Sequence, residues 1–252
     1  MRFELAAAAS VALALSRVGG GSVPADDVAK SPGLYERRVT TQRGEKLRYT
    51  ISIPQAFSPD RACPLVVALH YAGVVTPFYG KGVLVQLVEP ALRDLGALIV
   101  APDCPGEDWM EPASEAMVLA LVDHLKRSYK IRRGRVLVTG YSMGGVGAWH
   151  LAARHADIFS AAIAVSAVPP PETVGLIERI SLYVIHSRQD EVFPMRRIEI
   201  AVEALKARGV RVHLEALEGA SHYDVHAFVE PLRAAVPWIK QTWGSAGACG
   251  AG

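Results

Sequence analysis

The 252-residue sequence predicts a doubly wound α/β domain, a mostly parallel sheet with helices on both faces. Three observations carry that expectation. Apolar runs alternate with stretches of helical periodicity, and several runs are apolar at nearly every position, as strands buried on both faces must be. Half of the residues are hydrophobic, enough for one substantial core. No internal repeat or low-complexity tract interrupts the alternation.

Past a Gly/Ser/Pro-rich stretch over 19–33, "YERRVTT" and "EKLRYTISIP", joined by Arg43-Gly44, read as an antiparallel hairpin. The strands that follow are "PLVVALH" (64–70), "ALIVAPD" (97–103), "RVLVTG" (135–140), "AAIAVSA" (161–167), "SLYVIHS" (181–187) and "VRVHLEAL" (210–217). Helical patterns fill 82–95, 113–129, 143–155, 195–208 and 225–240. The domain is expected over 34–243, after a flexible leader (23–33) and before a disordered tail (244–252). Residues 1–22 read as an export signal: Arg2, an apolar stretch from Leu5 to Leu15, then small residues. Glu4 and Arg17 speak against it. The expected location is secreted or periplasmic, with the cytoplasm as the alternative.

A formal net charge of +2 leaves no basic field suited to nucleic acid. The densest basic run, Lys126 to Arg135, precedes a strand and reads as a solvated loop. No apolar run is long enough to span a bilayer. Cys63, Cys104 and Cys249 make an odd set without a CxxC pair, which argues against a zinc site and permits one disulfide plus a spare thiol. Neither metal nor organic cofactor is expected, and the oligomeric state is left open.

In a sheet of this kind chemistry gathers where loops leave the carboxyl ends of strands. Here those ends are His70, Asp103, Ser142, Ser166 and the loops at 186–190 and 218–222. Gly140-Tyr141-Ser142-Met143-Gly144 fits G-x-S-x-G and lies between a strand and a helix, the context that motif needs. A strand turning straight into a helix packs the turn against both, so the flanking positions must lack side chains and the serine is forced into a strained backbone. The bland alternative is a glycine-rich turn that merely permits close packing.

A serine needs a base, and the base needs an orienting acid, in the chain order Ser, acid, His. His70 precedes the serine; His124, His150 and His155 lie in helical patterns, and His186 and His213 in strands. His222, in "EGASHYD" after the last strand, is the expected base, and His226 falls a turn into the last helix. Asp190 in "SRQDEVFP" is the expected acid, ahead of Glu191, with helix capping as the competing role. The oxyanion donors should be the Met143 N–H and that of Tyr71 or Ala72, with His70 bracing their loop. Tyr141 and Trp109 are the expected substrate contacts; for "APDCPGEDW" a capped loop around a buried tryptophan is an equal alternative.

On "YKIRRGRVLVTGYSMGGVGAW", "LHYAG", "APDCPGEDW", "RQDEVFP" and "GASH", the chain resembles the α/β-hydrolase superfamily from Tyr35 to Trp243. It is most similar to polyhydroxybutyrate depolymerase-like, feruloyl-esterase-like and phospholipase/carboxylesterase groups. The oxyanion loop departs from their His-Gly and reads His70-Tyr71. The resemblance implies a carboxylic ester hydrolase acting through Ser142, His222 and Asp190 on a small-molecule or polymer-linked ester. A prolyl-oligopeptidase-like peptidase and a non-catalytic binding protein of the same fold are the alternatives. The interval Val168–Ile180, with its three consecutive prolines, is too short for a large lid, which favours short-chain or aromatic acyl esters.

Overall fold

The computed structural model describes residues 28–40, 44 and 46–248. The leader read as an export signal and Cys249 lie outside them. Among the described residues the strands are β1 (Gly33–Thr40), β2 (Lys46–Ile53), β3 (Cys63–Leu69), β4 (Leu98–Pro102), β5 (Ile131–Tyr141), β6 (Ala161–Val165), β7 (Ser181–Ser187) and β8 (Val212–Leu217). They form a single sheet in the order β1-β2-β4-β3-β5-β6-β7-β8. The pairs β1–β2 and β2–β4 are antiparallel, and every pair from β4–β3 to β7–β8 is parallel.

The helices are α1 (Lys81–Val83), α2 (Glu89–Leu92), α3 (Pro112–Ser128), α4 (Met143–Arg154), α5 (Thr173–Leu176), α6 (Met195–Ala207), α7 (Val229–Ala234) and α8 (Val236–Ala248). They cover both faces, and the strands show it residue by residue. In β3, Leu65, Val67 and Leu69 join a core with Val118, Leu121, Trp149 and Ile198 of α3, α4 and α6. Val66 and Ala68 point the other way, into a core with Leu87, Leu92, Leu232 and Ile239. A strand covered on both sides has no solvent face, so its sequence cannot alternate.

Four boundaries differ from the sequence reading. The pattern over 82–95 is not one helix: α1 and α2 are joined by a π-helical turn over Leu84–Val88. Pro90, at the start of α2, has no N–H to close an α-turn there. The segment 225–240 is likewise divided into a 3₁₀ turn (Val225–Phe228), α7 and α8, because Pro237 cannot donate to the preceding turn. Helix α8 then runs to Ala248, into the stretch read as tail. β5 starts at Ile131 rather than Arg135, pairing Cys63 with Ile131 before a register shift at Leu65.

Cys63 and Cys104 are both buried free thiols. No helix among the described residues is long and apolar enough to cross a membrane. The parallel strands end along one edge, which brings together residues 70–72, 142–143, 166, 187–191 and 218–222.

Candidate active site

The turn from β5 into α4 is built around absent side chains. A methyl on Gly140 would sit 2.2 Å from the Gly144 carbonyl oxygen, and one on Gly144 would sit 2.0 Å from that of Leu69. One on Gly147 would strike the Trp109 Cβ at 2.4 Å. So the first turn of α4 lies directly on the end of β3, and Ser142 is left at φ 54°, ψ −118°. Such a backbone costs about 1–3 kcal/mol in a residue with a side chain. It is fixed from both sides: the Ser142 N–H donates to the Val165 carbonyl, and its own carbonyl accepts from Val146.

Ser142 Oγ lies 2.9 Å from His222 Nε2, and His222 Nδ1 lies 2.9 Å from Asp190 Oδ2. Ser142 is half-buried while His222 and Asp190 are buried. Burial alone would push the Asp190 carboxyl above its ordinary pKa. The opposing hydrogen bonds outweigh burial and hold it below: Ser166 and His222 on Oδ2, and the Phe193 and Val192 N–H groups on Oδ1. With Asp190 charged, Nδ1 carries the imidazole proton and Nε2 is free to accept from Ser142.

Two loops are laced together to fix that geometry. Residues 187–191 bond 218–222 almost position by position: Ser187 to the Ala220 carbonyl, Arg188 and Gln189 to Glu218, and the Gly219 N–H to the Gln189 side-chain oxygen Oε1. Glu191 accepts from the Ser221 hydroxyl and, at 2.8 Å, from the His222 N–H. The runner-up acid therefore clamps the histidine loop rather than its ring.

Met143 opens α4, so its N–H has no helical partner and is free to bind an anion. Gly144 rests on the Leu69 and His70 carbonyls, so the start of α4 abuts the end of β3 just ahead of Tyr71 and Ala72. His70 is the brace the sequence suggested. Its Nε2 accepts from the Cys104 N–H at 2.9 Å, which leaves Nδ1 to donate to the Tyr71 carbonyl at 2.7 Å. Burial lowers its pKa, keeping it neutral in this role. Further along, Asp103 bonds the Phe78 and Gly80 N–H groups and Arg48, tying down the loop's far end.

The two expected substrate contacts are placed elsewhere. Trp109 is 1% exposed; its indole N–H donates to the His70 carbonyl at 2.9 Å, and its ring fills the space Gly147 leaves open. Asp108 caps the turn through the Met110 and Glu111 N–H groups, so the capped-loop alternative describes this segment. Tyr141 is buried too, its hydroxyl donating to the His222 carbonyl. Both aromatics support the site from behind. A side chain that does stand open near His222 is Tyr223, with its ring 5.4 Å from the imidazole.

The other histidines have structural partners: His150 and His155 on Glu115, His124 against Tyr49, and His213 stacked on Tyr183. His226 is exposed in the 3₁₀ turn. Among the described residues no group of three or more His, Cys, Asp or Glu side chains could hold a metal ion. Ser166, given no role by the sequence, is the addition. Its hydroxyl lies 2.5 Å from Asp190 Oδ2 and 3.1 Å from His222 Nδ1. The available signal was a polar residue ending a wholly apolar strand.

Comparison with known proteins bears on the chain as a whole. Residues 107–242 match the dienelactone hydrolase family. A probable feruloyl esterase C of Aspergillus terreus is 24% identical over 196 residues, covering 72% of this chain and 70% of that protein. Feruloyl esterase C of Emericella nidulans is 24% identical over 182 residues, covering 66% of this chain and 64% of that protein. The crystal structure of a thermostable esterase superposes with a TM-score of 0.65 at 24% identity, over 82% of this chain and 60% of its own.

Proposed function

Because the chain belongs to the dienelactone hydrolase family, which matches more than half of its residues, we propose that it is a carboxylic ester hydrolase working through an acyl-enzyme on Ser142. The supporting observation is the hydrogen-bonded line Ser142–His222–Asp190, with Ser142 reachable at the sheet's edge. Ser142 Oγ attacks the ester carbonyl and passes its proton to His222 Nε2. Asp190 holds the resulting imidazolium through Nδ1–H. The oxyanion is met by the Met143 N–H and that of Tyr71 or Ala72. Collapse releases the alcohol with the proton from Nε2. Water, deprotonated by His222, then cleaves the acyl group from Ser142 and restores the starting state.

Acid quench of the enzyme reacting with a p-nitrophenyl ester should trap one acyl group, located by peptide mass mapping on Ser142. An acyl group on another residue, or no covalent species under conditions of rapid turnover, overturns the reading. Turnover of peptide p-nitroanilides in place of esters would transfer it to a peptidase.

For substrate class we infer short-chain or aromatic acyl esters. Three things support this. The connection between β6 and β7 contains only the single turn α5, too little to cover a long chain. Tyr223, 75% exposed, offers a flat face beside His222. The named relatives are feruloyl esterases. An uncovered cleft forgoes the ~0.8 kcal/mol that each buried methylene contributes. kcat/KM is therefore expected to fall from butyrate to palmitate p-nitrophenyl esters, with no jump above the micelle concentration. A steady rise along that series would reject the inference. Export rests on the leader's composition alone, a basic start followed by an apolar stretch.

A further inference from the structure

We propose that Ser166 is a positioning residue for the acid–base pair: its hydroxyl fixes the Asp190–His222 contact and draws charge from the carboxylate. The inference rests on the serine-hydrolase reading and deepens it.

Three contacts define a closed triangle. Ser166 Oγ is 2.5 Å from Asp190 Oδ2 and 3.1 Å from His222 Nδ1, and those two atoms are 2.9 Å apart. The hydroxyl has one hydrogen to give. Asp190, ionised, can only accept, whereas Nδ1 bears the ring proton while Nε2 accepts from Ser142. The hydrogen therefore goes to Asp190, and Ser166 Oγ takes a secondary share of Nδ1–H. Ser166 is 0% exposed, so it cannot itself meet a substrate.

The backbone supports a specific role. Ser166 has φ 50°, a region that side-chain-bearing residues avoid, and its N–H is tied to the Ile185 carbonyl of β7. A glycine would occupy that position with less strain, but would leave Oδ2 with one partner fewer. The strained residue ending β6 thus delivers a hydroxyl into the contact between β7's carboxylate and β8's histidine loop.

Removing the hydroxyl has a predictable sign. The short bond to Asp190 withdraws negative charge from the carboxylate, and its loss makes Asp190 a stronger partner for imidazolium. The longer 3.1 Å share of Nδ1–H acts oppositely and is the weaker of the two. The acidic limb of kcat/KM should then move up. The other ionisable groups around the pair are His186, 3.8 Å from Asp190, Glu191 on the His222 N–H, Tyr141 on its carbonyl, and Tyr223 and Asp224 on the same loop. All are common to wild type and variants, so a difference reports Ser166.

The experiment compares Ser166→Ala and Ser166→Gly on p-nitrophenyl acetate, with Ser142→Ala alongside. Both Ser166 variants are expected to lose about tenfold in kcat with KM within about twofold, and to shift the acidic limb upward by the same amount. The Ser166→Gly variant relieves the positive φ, so it keeps the test open if Ser166→Ala folds poorly by circular dichroism. Loss in Ser166→Ala with wild-type behaviour in Ser166→Gly would assign the effect to the backbone and overturn the proposal. An unmoved acidic limb in both would do the same. Activity retained by Ser142→Ala would instead remove the underlying serine-hydrolase reading, so the two failures are distinguishable.

Discussion

Replacing Ser142 with alanine is expected to lower kcat for p-nitrophenyl acetate by about 10⁴-fold or more, with the fold intact. Alanine can take the same φ of 54° and leaves both backbone hydrogen bonds of residue 142 in place, so little else should change. What is lost is the hydroxyl that the proposed mechanism acylates. The residual rate should come from binding and from the oxyanion donors around Met143. The effect is also expected to be non-additive. His222→Ala should cost nearly as much alone, and the double variant should be no worse than either, because a base without its nucleophile has no proton to take. Steady-state kinetics and a thermal melt on the three variants check this. A multiplicative loss, or a Ser142→Ala enzyme within tenfold of wild type, would mean the hydrogen-bonded line is not a catalytic unit.

The strands that carry the site were legible because they are buried on both faces. "PLVVALH" and "SLYVIHS" must be apolar throughout whichever way each residue points, so burial wrote itself into composition. The candidate site at their ends was legible for a different reason: a polar residue after such a run must find a partner, whether in the chemistry or, like His70 and Ser187, in bracing a loop. Helix interruptions were missed although Pro90 and Pro237 stood in plain sight, since amphipathic periodicity persists across a proline that merely loosens a turn. The aromatics were harder. Trp109 faces inward because Gly147, 38 positions further on, leaves a gap of the right shape, and no local pattern records that. Ser166 stood among the strand ends, but its role was unreadable on the same ground, its partners lying 24 and 56 residues away. Residues that perform chemistry are set by local geometry, whereas residues that support them are set by what the fold brings past.

Gly144→Ala is expected to be a severely damaging single methyl. The new Cβ would lie 2.0 Å from the Leu69 carbonyl oxygen, 2.5 Å from its carbon and 2.8 Å from the His70 carbonyl oxygen. All three are backbone atoms of β3 or its immediate continuation, so no side chain can swing aside. Relief requires α4 to move off β3 by about an ångström, against Trp149 and Leu151 packed behind it. Overpacking of this kind costs about 3 kcal/mol or more. At about 2–4 °C per kcal/mol for a domain of this size, the melting temperature should drop by roughly 10 °C. Activity should suffer beyond stability, because the same displacement moves Ser142 and the Met143 N–H relative to residues 70–72. A misplacement of about 1 Å is worth on the order of 10²-fold in kcat. Gly175→Ala is the control: it sits exposed in α5 with nothing within 4 Å of a new Cβ, and should be neutral or slightly stabilising. Equal melting temperatures and rates for the two variants would show that the contact between the serine turn and β3 is not what sets the site.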